Sequence, residues 1–85
     1  MATKSSRSTG PSSWFDALAG TVRTRRKQLQ LTQLQLAELA GCGPDFLYDV
    51  ERGKPTLRVD KLLAVLHALG LDLQVAQLTQ RGLYD

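Results

Sequence analysis

Apolar residues recur at helical spacing from Trp14 onward, with Phe15, Leu18, Ala19, Val22 and Leu29 falling on one stripe. This spacing predicts a first helix from about Trp14 to Gln28, opened by a capping-box pairing of Ser13 with Asp16. Gly20 lies inside it at a cost of roughly 1 kcal/mol relative to alanine. Thr32 reads as the N-cap of a second, short helix, in which Leu36, Leu39 and Ala40 form the apolar stripe until Gly41 stops it. Gly43 and Pro44 suit the N-cap and first position of a third helix, since proline there loses no needed N–H. Leu47 and Val50 point inward from it, and Gly53 closes it. After a loop from Lys54 to Leu57 that holds Pro55, a fourth helix follows, carrying Val59, Leu62, Leu63, Leu66 and Leu69 and ending at Gly70.

From Leu71 the period changes to two, with Leu71, Leu73 and Val75 alternating against Asp72, Gln74 and Ala76, which predicts one short strand. The expected fold is therefore an all-α, compact bundle of about four to five short helices with one short C-terminal β-strand. A lone strand cannot satisfy its own ladder of hydrogen bonds, so it is expected to pair with its twin across a dimer. Ala64, Val65 and Ala68 make the fourth helix apolar nearly all round, which also points to a second subunit. Leu66, Leu69, Leu71, Leu73 and Val75 are the expected dimer interface. Residues 1–12, rich in Ser and Thr, form an expected flexible arm; 13–76 are the folded domain; 77–85 are an expected flexible tail.

Two short helices joined by a tight turn around a glycine are the geometry that lets one helix cross a DNA backbone while the next enters the major groove. Here Ala37 leaves room for the third helix, Gly41 permits the turn, and Cys42 and Leu47 fill the core beneath it. Eleven basic against eight acidic side chains give a net charge of +3, too mild to establish nucleic-acid binding alone. The charge is nevertheless localised: Arg23, Arg25, Arg26 and Lys27 lie close together with no acid among them. By spacing alone this run reads first as a solvated helix face and only second as a face for phosphates.

The chemistry available excludes several classes. A single cysteine and a single histidine fall short of a structural zinc site, and no metal or other cofactor is expected. His67 sits in an apolar helical run and no glycine-rich phosphate loop is present, so no catalytic residues are expected and an enzyme is a poor reading. With no signal peptide and no long apolar run, the expectation is a cytoplasmic protein with no membrane partner. Cys42 reads as a small core residue rather than a redox switch.

The stretch from Leu31 to Gly41, continuing through Leu47-Tyr48-Asp49-Val50-Glu51-Arg52-Gly53-Lys54, resembles the lambda-repressor-like, or Xre-type, helix-turn-helix family. Gly43-Pro44-Asp45-Phe46-Leu47, Glu51 to Thr56, and Leu66 to Leu71 leading into a strand look like its HipB-type antitoxin branch. This likeness implies a sequence-specific repressor that binds double-stranded operator DNA as a homodimer and partners a HipA-type kinase toxin. It also implies phosphate contacts from Arg23, Arg25, Thr32, Gln33, Arg52 and Lys54, and a structural ion pair between Arg26 and Glu51. Gly43, Pro44, Asp45, Tyr48 and Asp49 are the implied base-reading positions. Gly43 and Pro44 offer no side-chain donor there, and Asp45 and Asp49 only accept when ionised. Tyr48 either stacks on or donates to DNA, or merely shields its helix. Two other functions stay open: a free-standing Xre-type regulator with no toxin, and a helical adaptor that binds protein and never DNA.

Overall fold

The computed structural model describes residues 11–77. They form four helices, α1 (Pro11–Gln28), α2 (Gln33–Ala40), α3 (Pro44–Glu51) and α4 (Val59–Ala68). Helix α1 opens at Pro11, ahead of the expected start at Trp14, so Pro11 and Ser12 belong to the helix and not to an arm. Proline's fixed φ suits a first turn, whereas Ser13 lies within the helix and does not cap it. Residues 1–10 of the expected arm and 78–85 of the expected tail lie outside the described residues.

Helix α1 ends where Gln30 takes a left-handed φ of 59° and its N–H returns to the carbonyl of Lys27 at 2.9 Å. Leu29 falls in this turn, which leaves it 40% exposed instead of on the core stripe. Thr32 caps α2 with a full capping box: its Oγ1 accepts from the Gln35 N–H at 3.0 Å, and Gln35 Oε1 accepts from the Thr32 N–H at 2.8 Å. At the other end Gly41 adopts φ 71°, a left-handed conformation that costs glycine nothing and lets the Cys42 N–H reach the carbonyl of Ala37 at 3.0 Å. Gly53 has a second reason to be glycine. Its φ is 81°, and a Cβ there would stand 2.7 Å from Oδ1 of Asp16 on α1.

One core joins all four helices, built from Val22 of α1, Leu36 and Ala37 of α2, Leu47 and Val50 of α3, and Leu62, Val65, Leu66 with the following Leu69 at α4. Helix α2 packs on both α3 and α4, and α1 packs on α3. The buried edge of α2 is thus Leu36–Ala37, with Ala40 half-buried, and Leu39 faces outward at 63% exposure. Leu66 and Leu69, expected between two copies, are 3% and 1% exposed in this chain's own core. Around the rest of α4, Leu63, Ala64 and Ala68 are half-buried and Val59 is 58% exposed.

Residues 71–77 have no regular secondary structure, and there is no β-strand among the described residues. Their departure from α4 is set by Asp72, whose Oδ1 accepts from the Leu73 N–H at 2.9 Å and lies 3.0 Å from Nε2 of His67. Those two hydrogen bonds, the one from His67 first, hold the Asp72 carboxyl below its usual pKa. Leu71 and Leu73 lean half-buried on the core, whereas Val75 is 98% exposed. A ladder here needs a second chain.

The core assignment predicts opposite outcomes for two leucines of neighbouring helices. Leu47→Ala should lower unfolding free energy by about 2–5 kcal/mol, and Leu39→Ala should change it by no more than about 0.5 kcal/mol. Urea melts of the two variants check this; equal losses would contradict the packing described.

Candidate nucleic-acid interface

Helix α3 has two unlike sides. Leu47, Val50 and Glu51 are buried against α1 and α2, and the i, i+3, i+7 positions Asp45, Tyr48 and Arg52 form an exposed outward stripe. Gly43 and Pro44 at its start are also exposed, and nothing lies within 4 Å of where a Gly43 Cβ would be. Of the positions expected to read bases, Gly43, Pro44, Asp45 and Tyr48 therefore share one open surface. Asp49 is different. It is half-buried, and its carboxylate accepts from Arg52 Nε at 3.1 Å and Lys54 Nζ at 3.3 Å. Partial burial by itself would raise the Asp49 pKa, but the hydrogen bonds from Arg52 and Lys54 prevail and hold it low. The Arg52 guanidinium also sits 5.5 Å from the centre of the Tyr48 ring, so these four residues make a single charged and aromatic unit on the exposed end of α3.

Glu51, the last residue of α3, is the buried charge of the site, with its side chain 3% exposed. Arg26 of α1 grips it in bidentate fashion, Nε to Oε2 at 2.7 Å and Nη2 to Oε1 at 3.0 Å. Gln33, the first residue of α2, donates from Nε2 to Oε1 at 3.0 Å. A carboxylate only accepts, so the amide nitrogen of Gln33 must face it, and its second N–H and its oxygen are left for the exposed side. Arg26 Nη1 also reaches the carbonyl of Leu31 at 2.9 Å, and Arg23 Nη1 donates to the main-chain carbonyl of Glu51. No buried side-chain nitrogen or oxygen among the described residues lacks a partner.

The basic run on α1 is thereby sorted. Arg23 and Arg26 tie α1 to the end of α3, and Arg25 Nε donates to the carbonyl of Leu69 at the end of α4 at 2.9 Å. Cations belong at helix C-termini, where carbonyls are unsatisfied and the dipole is negative. Arg25 lines a groove with Ala17, Gly20, Thr21, Thr24 and Leu71, in which no residue of α2 or α3 takes part. Lys27 stays exposed. Thr32 is exposed, and although its oxygen accepts from Gln35 its O–H hydrogen is free to donate. Sequence reasoning missed Lys61, whose Nζ lies 5.9 Å from the centre of the Phe46 ring and adds a cation beside the first turn of α3. A lysine early in a helix has no local electrostatic reason to be there, and that mismatch was the available signal.

The family described as helix-turn-helix domain matches residues 17–78. The chain belongs to that family. The α2-turn-α3 unit is accordingly its helix-turn-helix, and α3 is the second helix of the motif. This helix-turn-helix protein is also similar to an uncharacterized HTH-type transcriptional regulator, y4mF, of Sinorhizobium fredii (strain NBRC 101917 / NGR234). The two are 41% identical over 58 residues, which span 68% of this chain and 76% of the relative. Among the described residues no helix is long and apolar enough to cross a membrane, and no cluster of potential ligands for a metal ion occurs.

Glu51→Ala should leave Arg26, itself only 12% exposed, without its counter-charge, and should cost about 3–5 kcal/mol of stability. Gln33→Ala removes one hydrogen bond at the margin and should cost about 1 kcal/mol. Thermal melts compare them; a Glu51→Ala protein as stable as wild type would mean that the ion pair does not hold the motif together.

Proposed function

We propose that this helix-turn-helix protein is a DNA-binding transcriptional repressor that acts as a homodimer, with α3 of each copy in the major groove of an operator half-site. The observation that carries this reading is the outward stripe of α3, exposed on one side and locked on the other by Glu51 to α1 and α2. Its membership of the helix-turn-helix family and its likeness to a protein named a transcriptional regulator support the same reading. In this reading Gln33 and Thr32 donate to phosphate, Arg52 and Lys54 turn from Asp49 to phosphate, and Gly43, Pro44, Asp45 and Tyr48 face base edges. Arg23 and Arg25 are bound to carbonyls of the chain itself and are the least available of the residues expected on phosphate.

For the dimer, the surface available is the outer half of Leu71 and Leu73, with Val75 and Trp14, the last two 98% and 46% exposed. Residues 71–76 of two copies would pair around a two-fold axis as a short ribbon, setting the two α3 helices about 34 Å apart to match one turn of DNA. The finer reading is that the repressor is the antitoxin of a HipA-type kinase operon. It is supported by the sequence motifs at Gly43–Leu47, Glu51–Thr56 and Leu66–Leu71. Co-purification with a kinase-like protein encoded beside it tests this; a native pull-down that brings no kinase returns the protein to a free-standing regulator.

In mobility-shift titrations the protein should retard DNA from its own upstream region, whereas an adaptor that binds only protein would retard none at any salt. Gln33→Ala should weaken binding to all DNA sequences alike without changing the salt dependence, because a neutral donor displaces no counterion. Arg52→Ala or Lys54→Ala should each reduce the slope of log affinity against log salt by about one, and Arg25→Ala should leave it unchanged. A slope that falls only with Arg25→Ala would place the DNA on the wrong face.

Replacing Leu73 and Val75 together with Asp should shift the dimer strongly to monomer, since each aliphatic side chain buried on association is worth at most about 1.5–3 kcal/mol. Operator affinity should drop with it, as a monomer loses the effective concentration of its twin. Sedimentation followed by titration on the operator reads both; a dimeric double variant of full affinity would exclude residues 71–76 as the interface.

A further inference from the structure

Of the three acidic side chains of α3, Asp45, Asp49 and Glu51, two are already engaged. Asp49 holds Arg52 and Lys54, Glu51 holds Arg26 and Gln33, and Asp60 pairs with Arg58. Asp45 stands apart. It lies in the first turn of α3, is exposed, and receives no hydrogen bond or ion pair from any described side chain. Nor does it cap its own helix, because Gly43 occupies the N-cap without a side-chain bond. Its place in the first turn is favoured by the positive end of the helix, but on a surface that meets DNA phosphates a free carboxylate is repelled, and a donor on the facing base edge would offset that repulsion.

We propose that Asp45 is a specificity-determining residue that reads the exocyclic amino group of cytosine in the major groove of each half-site. This rests on the reading of α3 as the DNA-recognition helix and names the base that the helix selects. Four features of the site converge on it. The ionised carboxylate is an acceptor only, which restricts its major-groove partners to the N4 amino group of cytosine and the N6 amino group of adenine. Adenine also presents the acceptor N7 on the same edge, which opposes the second carboxylate oxygen, whereas cytosine presents an apolar C5 edge beside its amino group. Gly43, two residues earlier, has open space where a Cβ would stand, so the backbone at the start of α3 can approach a base closely. Tyr48, one turn further on the same exposed stripe, carries the Arg52 guanidinium over its ring at 5.5 Å, so the face that holds Asp45 continues as an aromatic and then a cationic surface able to lie along DNA. At the same position thymine would set its O4 acceptor against the carboxylate, and guanine its O6 and N7, so both are disfavoured.

The test is selection from a library of randomised duplex DNA with the full-length protein, followed by titration of the selected site and its single-base variants. The wild-type protein should enrich a site with a fixed cytosine at one symmetric pair of positions, and cytosine to thymine there should weaken binding about tenfold. Asp45→Ala should lose the preference at that pair alone, and Asp45→Asn, which adds a donor to the acceptor, should move it toward adenine. Because Asp45 is exposed and has no side-chain partner, both variants should fold and melt only slightly below wild type, the loss being that of a charge at the start of a helix. If both variants enrich the wild-type site unchanged, or bind every sequence more tightly by the same factor, Asp45 is a repelled surface charge and the inference is overturned. If the wild-type protein enriches no site at all, the reading of α3 as a DNA-recognition helix fails with it.

Discussion

The fold turns on one carboxylate taken out of water. Burying Glu51 without compensation would cost several kcal/mol, and the chain offsets this with a bidentate arginine and an amide that come from different helices. The three residues occupy particular places: Arg26 near the end of α1, Gln33 at the first position of α2, and Glu51 at the last position of α3. A contact between element ends fixes direction as well as distance. Rotating α3 by a single residue would carry Glu51 away from both partners and bring Val50 or Arg52 in its place, leaving charges unpaired on two helices. The rotation of α3 about its own axis, and hence which residues face outward, is therefore set by electrostatics, with Leu47 and Val50 packed beneath as the apolar part of the same constraint.

That arrangement occupies many of the chain's cationic donors. Arg23, Arg25 and Arg26 are bound to carbonyls or to Glu51, and Arg52 and Lys54 share Asp49, so the net charge of +3 persists while fewer N–H groups are free to bond a polyanion directly. Phosphate attraction supplies most of the non-specific affinity of a nucleic-acid binder, and Arg26, Arg52 and Lys54, each beside a carboxylate, supply less of it than unpaired cations would. The pairing with Asp49 acts in the same direction: moving Arg52 or Lys54 onto a phosphate first requires giving up a hydrogen bond to a carboxylate, so the gain is the difference between two similar contacts.

Local rules made much of this legible in the residues. The cap at Thr32, the left-handed turn at Gly41, the stop at Gly53 and the inward positions Leu47 and Val50 each follow from spacing or backbone conformation within a few residues. What spacing cannot supply is a distant partner. The bond from Arg25 to the carbonyl of Leu69 joins residues 44 apart, and nothing near Arg25 in the chain distinguishes a helix-capping guanidinium from one left for phosphate. Leu39 points outward for a related reason: Leu36, Ala37 and Ala40 make one helical stripe and Leu36, Leu39 and Ala40 another, and only the positions of α3 and α4 decide that the first goes inward. The ion pair of Arg26 with Glu51 was visible through family resemblance, and not through any rule of local chemistry.

The segment after α4 shows the same limit from another direction. Its alternation of Leu71, Leu73 and Val75 was read as a strand, and in the single chain the first two already lean on the core while the third is almost wholly in water. Leu71 and Leu73 border an apolar groove of about 260 Å³ with Trp14, Ala17, Leu18 and Leu66. A second copy that pairs along this segment would find it already anchored at Leu71 through the Asp72 hydrogen bonds, so less chain has to be ordered on association. The same anchoring limits the apolar area that Leu71 and Leu73 have left to contribute, and it shifts the weight of any such contact to Val75 and to the exposed edge of Trp14. A dimer built here would therefore draw on main-chain pairing as well as on side chains at the rim of the groove, and anything that binds the paired form in preference to the single chain would reinforce it by mass action.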